Sequence, residues 1–436
     1  MANTELQRTQ SGTETDSKKA TISVWLKLSA VEGNYAMGVF GSHVSGDYSA
    51  NGNAQIGFFN GGLYAWWKTG DSSYYKQEST RRFRDTNAWY HVVYRYDTTQ
   101  SSGDDRIRVY VNGEEITSWV AVNDPPQNAN IEINNGGRII RVGTYNYLSG
   151  TPNYFNGSMS HYHFCDGYSY APTEFGSTDS TTGEWKINTS PSVSYGTNGF
   201  LILKDGNTIT DSSPNSNNFS LGGGTLTKTK DCPSNVFATL NPLIAVNGSS
   251  TYIHGNTKVE STSGSWSASA GTLGFTKGKF YWEIKGINEA QSMFGVGEAS
   301  INMNDANPQD LTGTTLFYNN AGGEMRKDGS NTSADYGTFS STDVMGIACN
   351  MDDKEITIYK NGSAIVTNYS LSTSIVTCIP FNSLLDSGAI GIFNFGNGYF
   401  GNTAVSSAGT NASGNGIFEY DVPTGYTALS TKGLNL

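Results

Sequence analysis

Along this chain apolar residues recur at every second position in short runs, and no run sustains the spacing of a helix face. In ATISVWLKL (Ala20 to Leu28), Ile22, Val24, Leu26 and Leu28 fall on one side and Trp25 on the other, as in a strand with one face in a core. WYHVVYRYD (Trp89 to Asp97) repeats the pattern, and RIRVYVNGEEIT (Arg106 to Thr117) doubles it around Asn112-Gly113. Both positions of that dipeptide tolerate positive φ, which a two-residue hairpin turn requires. RIIRVG, SMSHYHF and GFLIL predict further short strands. The second half follows the same grammar through KFYWEIKGI, MFGVGEA, VMGIACNM and EITIYKNGSAIV, with another hairpin corner at Asn361-Gly362. RIRVYVNGEEI and EITIYKNGSAI read as equivalent hairpins of two modules. Residues 204–244 are crowded with Asn, Ser, Gly and Pro and carry scattered apolar residues such as Phe219, Phe237 and Leu240. That composition predicts an ordered connector packed on both modules, not a loose tether. The expectation is an all-β chain with two antiparallel β-sandwich (jelly-roll) domains in tandem, residues 1–203 and 245–436.

Composition sharpens this picture. The length of 436 residues suits two domains of roughly 200 residues, each able to bury its own core. Only 15% of residues are charged while Gly numbers 52, which suits tight turns and short strands better than long helices. A net charge of −11 argues against a nucleic-acid partner, since phosphate binding needs a basic surface. The one basic cluster, Arg81-Arg82-Phe83-Arg84, is too short to make a stripe. Cys165, Cys232, Cys349 and Cys378 show no CxxC spacing, and the last two lie in apolar strand-like runs as small buried hydrophobes. MANTELQRTQSG holds no apolar stretch that would serve as a signal peptide, and no run is long enough to span a bilayer. The expectation is synthesis in a reducing cytoplasm without membrane insertion.

For binding, LYAWWKTGDSSYYKQ (Leu63 to Gln77) is the most informative stretch. Tyr64, Trp66 and Lys68 share one strand face, with Leu63, Ala65 and Trp67 on the other, and Tyr74 follows on the return. One set fits a core and the other an aromatic platform, since flat rings with polar tips serve both sugar stacking and protein anchoring.

The first module, from NTELQRTQSGTETDSKKATISVWLKL through WYHVVYRYDTT and RIRVYVNGEEI to FNGSMSHYHFCDGYSYAPTEFG, resembles the laminin G-like/concanavalin A-like lectin and glucanase superfamily. The second, from TKGKFYWEIKGI to GAIGIFNFG, is similar to SPRY domains, with the core hairpin VMGIACNMDDKEITIYKNG. Together with YGTNGFLILKDG, DCPSNVFATLNPL and the ending VPTGYTALSTKGLNL, the order resembles virion proteins of bacteriophages, marine ones in particular. The resemblance implies a homo-oligomeric protein made in the host cytoplasm and displayed on the virion as a tail fibre, spike or capsid decoration. Its partners would be other virion proteins and a host-surface glycan or receptor during host attachment. The rival expectation is a purely structural decoration that binds only virion proteins.

A lectin/glucanase resemblance also raises hydrolysis and calcium. Retaining glycosidases hold two carboxylates about 5 Å apart. No E-x-D-x-E string exists here; Glu114-Glu115 point to opposite faces, and Glu419 and Asp421 read as turn charges. Without a GxSxG elbow either, the chain is expected not to be an enzyme. His161 and His163 read as half-exposed imidazoles over a strand whose Tyr162 and Phe164 enter the core. No cofactor is required, and calcium stays open at Asp97, Asp104 and Asp105, or more weakly at Asn302, Asn304 and Asp305. By analogy with SPRY partner-contacting loops, Tyr318 and Asn320 in one loop and Asp353 in another are further ligand-contact candidates.

Overall fold

The structure is a computed structural model that describes residues 3–29, 36–44, 54–68, 74–146, 152–204, 209–244, 249–286, 292–303, 310–319, 322–332 and 334–435. It is all-β, with two sandwich domains in tandem. The chain divides into two compact units, Met1–Lys228 and Thr229–Leu436.

Among the described residues, the first unit pairs an eight-stranded sheet with a six-stranded one. The larger runs Trp119–Val122, Tyr74–Ser79, Gly62–Lys68, Ala54–Phe59, Ala36–Val44, Arg138–Val142, Glu5–Thr9, Ser220–Gly223. The smaller runs Phe200–Ile202, Gly157–Asp166, Lys19–Leu28, Trp89–Asp97, Ile107–Val111, Glu114–Glu115. The alternation read from the sequence decides the inner faces. Ile22, Val24, Leu26 and Leu28 meet Phe40, Phe58, Leu63, Ala65 and Trp67 in one core, and Trp67 stands edge-on to Tyr96 at 5.9 Å. Each of the larger aliphatic and phenyl side chains contributes roughly 1.5–3 kcal/mol by leaving water.

In the second unit a sheet ordered Ser250–Ile253, Lys258–Ser261, Ile390–Asn394, Lys279–Lys285, Val344–Asn350, Glu355–Lys360, Ser363–Ser370 also takes Thr427–Ala428 beside Phe280–Tyr281, in parallel. It packs on Ser267–Ala270, Cys378–Leu384, Ser292–Glu298, Thr314–Asn319, Glu324–Lys327, Ser330–Asn331. Trp282, Ile347 and Ile358 from the first sheet and Phe294, Val296 and Phe317 from the second fill its interior.

The stretch 204–244 is shared between the units. Phe219 joins the first core and Ser220–Gly223 pairs with the strand Glu5–Thr9, while Ala238 and Leu240 enter the second core.

Both hairpin corners form, with Val111 opposite Glu114 and Lys360 opposite Ser363. Asn112 and Asn361 sit at φ 52° and 49°, and Gly113 and Gly362 both at 80°. In each corner the Asn side chain accepts a hydrogen bond from the adjacent strand, from His91 N at 2.8 Å and from Val344 N at 2.9 Å. An aromatic ring also lies against each glycine, Trp185 on Gly113 and Tyr420 on Gly362. The two modules therefore close this corner in the same way.

Two outer faces of the first sandwich are covered by its own chain. Thr144–Asn146 and Pro152–Tyr154 form a ribbon across the eight-stranded sheet at Gly38, Gly41 and Gly57. A Cβ at Gly38 would stand 2.3 Å from Tyr145 N, so only glycine admits this approach. On the six-stranded sheet, residues after Asp166 cover Trp25 and the histidines. His161 and His163 are therefore buried, at 1% and 2% exposure, and not half-exposed as the strand pattern alone suggested. A bulge between Ser160 and His163 puts His161 at φ 47° and breaks the simple alternation.

Candidate functional site

The strand Gly62–Lys68 presents two different faces. Leu63, Ala65 and Trp67 are in the core, whereas Tyr64 and Trp66 are half-buried on the outside. Cross-strand pairing places Gln55 and Lys76 on either side of Trp66, and Gly57 and Glu78 on either side of Tyr64. Tyr64 also lies 5.9 Å from the ring of Phe59, and Lys76 Nζ is 3.9 Å from Glu78. The outcome is an aromatic strip with Lys76 half-exposed at its border and Gln55 and Glu78 buried beside it. The side chains of Lys68 and Tyr74, also expected here, lie outside the described residues; their backbones pair with each other.

Near the other edge of the same sheet is a cleft of about 430 Å³ lined by Gln7, Arg8, Ser216, Asn217, Phe219 and neighbouring residues. Arg8 Nη2 donates to Asn217 Oδ1, while Nη1 is buried without a hydrogen-bond partner among the described residues. Burial lowers the pKa of Arg8, with Asp211 opposing the shift. The sequence reading missed this cleft because its walls come from positions some 200 residues apart. The Asn-Ser run around Ser216 was its one local sign.

Ser23 and His91 look like a nucleophile and base, with Oγ and Nε2 2.8 Å apart. Trp185 Nε1 donates to His91 Nδ1 at 3.0 Å, and an indole N–H can only donate. The proton of the neutral ring is therefore on Nε2 and is given to Ser23, the reverse of what activates a serine. His91 stacks on Trp25 at 5.0 Å and has the near-parallel ring of Trp185 at 5.9 Å, and burial takes its pKa down to about 3. This cluster is packing. His163 belongs with it, 2.9 Å from the Tyr195 hydroxyl.

Comparison with known families matches residues 3–171 to the concanavalin A-like lectin/glucanases superfamily and residues 279–398 to the SPRY domain. The chain carries a concanavalin A-like domain followed by a SPRY domain. Solved structures similar to it include the SPRY domain of human HERC1, 16% identical, covering 31% of this chain and 87% of that one with a TM-score of 0.28. The TRIM65 PSpry domain is 14% identical over 36% of this chain and 91% of its own, with a TM-score of 0.30. No curated protein matches the chain.

Within the concanavalin A-like domain, the calcium candidates do not converge. Asp97 accepts from Thr99 N, Thr99 Oγ1 and Gln100 Nε2. Burial opposes its charge, but these donors and Lys19 outweigh that and lower its pKa. Asp105 pairs with Arg108, and Asp104 acts on Asp124, whose pKa is raised by burial first and Asp104 second. Among the described residues no three acidic, histidine or cysteine side chains gather as a metal site. Glu114 and Glu115 turn to different arginines, Arg81 at 3.1 Å and Arg108 at 3.6 Å.

In the SPRY domain, Tyr318 is half-buried on the strand Thr314–Asn319, against Trp266 at 6.2 Å and under the Arg326 guanidinium at 5.7 Å. Asp353 is exposed on the turn after Val344–Asn350, in the other sheet, accepting from Asn350 Nδ2 at 2.7 Å with Lys279 Nζ at 3.7 Å. Asn320, Asn304 and Asp305 lie outside the described residues. Glu419 and Asp421 serve as turn caps, for Ser406 and Thr410. A carboxylate the sequence reading passed over, Glu283, is wholly buried. Its oxygens accept from Glu419 N at 2.8 Å, Tyr420 N at 2.9 Å, and Asn394 Nδ2 and Tyr281 Oη, both at 3.3 Å. Burial pushes it up to about 7 against those four donors.

Proposed function

We propose that this chain is a bacteriophage virion protein displayed on the particle as a fibre, spike or capsid decoration, and that its concanavalin A-like domain recognises a host-surface glycan or protein. The observation that carries the recognition reading is the strip of Tyr64 and Trp66, half-buried on the outer sheet face while their neighbours Leu63, Ala65 and Trp67 fill the core. Flat rings supply apolar contact to a sugar face or a partner side chain, and Lys76, beside Trp66, adds a hydrogen-bonding group at their edge. The phage context rests on the order of modules and the strings that accompany them.

Purified chain bound to host cells and to a glycan array tests this. Trp66→Ala and Tyr64→Ala should each weaken binding by roughly ten-fold or more while the melting temperature stays near that of the parent. A protein that ignores both cells and glycans and binds only stripped virions would replace recognition with decoration.

A further inference from the structure

Cys349 and Cys378 sit in the interior of the SPRY domain on facing sheets, Cys349 in the strand Val344–Asn350 and Cys378 at the start of Cys378–Leu384. Each strand is interior to its sheet. Val344–Asn350 lies between Lys279–Lys285 and Glu355–Lys360, and Cys378–Leu384 between Ser267–Ala270 and Ser292–Glu298. Both thiols are free and fully buried, and their Sγ atoms are 3.7 Å apart. A bonded pair needs ~2.0 Å, so closing the gap takes side-chain rotation together with an approach of the two sheets. Hydrogen bonds between Phe275 and Cys378, at 2.8 and 2.9 Å, hold the Cys378 backbone in place, and Cys349 is paired on both sides with Phe280 and Ile356.

From this geometry we infer that Cys349 and Cys378 are a redox modification site, a latent disulfide that ties the two sheets of the SPRY domain together when the protein leaves a reducing compartment. The reaction needs a two-electron oxidant small enough to reach the interior, and a peroxide meets that requirement. One thiol, as thiolate, attacks a peroxide oxygen, breaking the O–O bond and giving a sulfenic acid and hydroxide, which takes up the proton the thiol lost and becomes water. The second thiolate attacks that sulfur and expels hydroxide, which the second thiol's proton turns into a second water. Two sulfurs are oxidised, hydrogen peroxide is reduced, and two thiols plus peroxide become one disulfide plus two waters. Burial, with Cys349 adjacent, raises the Cys378 pKa, so the thiolate is scarce and oxidation proceeds through brief openings of the sandwich. The product resembles in position the inter-sheet bridges of immunoglobulin domains.

The experiment treats the full chain with hydrogen peroxide, with and without sub-denaturing urea, in a Cys232→Ser background that removes the partly exposed thiol. Non-reducing peptide mapping should recover the Cys349 and Cys378 peptides joined, with the intact mass lower by two hydrogens and Cys165 still titratable. Urea should speed the reaction, and the oxidised form should melt roughly 5–10 °C higher than the reduced one. A Cys378→Ser chain should lose both the link and the shift; if it does not fold, the mapping of the Cys232→Ser chain decides alone. Sulfinic products, a link through Cys165, or all three remaining thiols still titratable after treatment and unfolding would overturn the inference.

Discussion

Glu283 shows how far one residue's chemistry depends on what the fold brings to it. Its strand neighbours Trp282 and Ile284 are core residues, and alternation turns Glu283 the other way, where the segment around Glu419 and Tyr420 closes over it. Its folded pKa of about 7 stands above the ordinary 4.5, so between those values the folded state holds a proton that the unfolded state has released. The stability from that proton is complete below about pH 4.5 and is lost as pH rises through 7. Thermal melts should therefore show the protein losing stability between pH 5 and pH 8, and Glu283→Gln should flatten that slope. An unchanged slope in the variant would assign the pH dependence elsewhere. At this scale the division of residues 63–67 into two faces was legible, because a strand fixes which residues share a side; that Leu63, Ala65 and Trp67 take the core was decided by the packing. The burial of His161 and His163 was not, because alternation names a face without saying what covers it.

Among elements, the ribbon of Thr144–Asn146 and Pro152–Tyr154 depends on glycines in the strands beneath it. Gly38→Ala would place a methyl 2.3 Å from Tyr145 N and 2.5 Å from Thr144 C, where backbone cannot yield as a flexible side chain would. The expected outcome is a loss of roughly 1–3 kcal/mol with the ribbon lifted from the sheet. A lower melting temperature together with faster proteolysis between residues 144 and 154 would report it, and a variant as resistant as the parent would show that the ribbon adjusts. Hairpins were readable in advance because Asn-Gly corners are local: two residues at positive φ decide the reversal. The ribbon was not, since nothing within Thr144–Tyr154 names the glycines it rests on.

On the scale of the molecule, the first unit reaches Lys228, beyond the 1–203 range expected for the first domain. Phe219 packs edge-on to Phe200 at 4.6 Å, and Ser220–Gly223 supplies the outermost strand beside Glu5–Thr9. A fragment of residues 1–228 should fold alone with a cooperative melt, whereas residues 1–203 should be less stable by at least ~2–3 kcal/mol for the lost Phe219 burial. Denaturant titration of the two fragments measures the difference, and equal midpoints would mean that the terminal strand contributes nothing. No helix among the described residues is long and apolar enough to cross a membrane.

What the sequence by itself determined was what neighbouring residues and chain length settle: strands from alternation, corners from Asn-Gly, and two modules from the length and the repeated hairpin pattern. Only the tertiary structure decided which outer faces stay open, where Arg8 meets Asn217, and that Cys349 lies opposite Cys378. Those relations join residues far apart in the chain, and their geometry exists only once the sheets have packed.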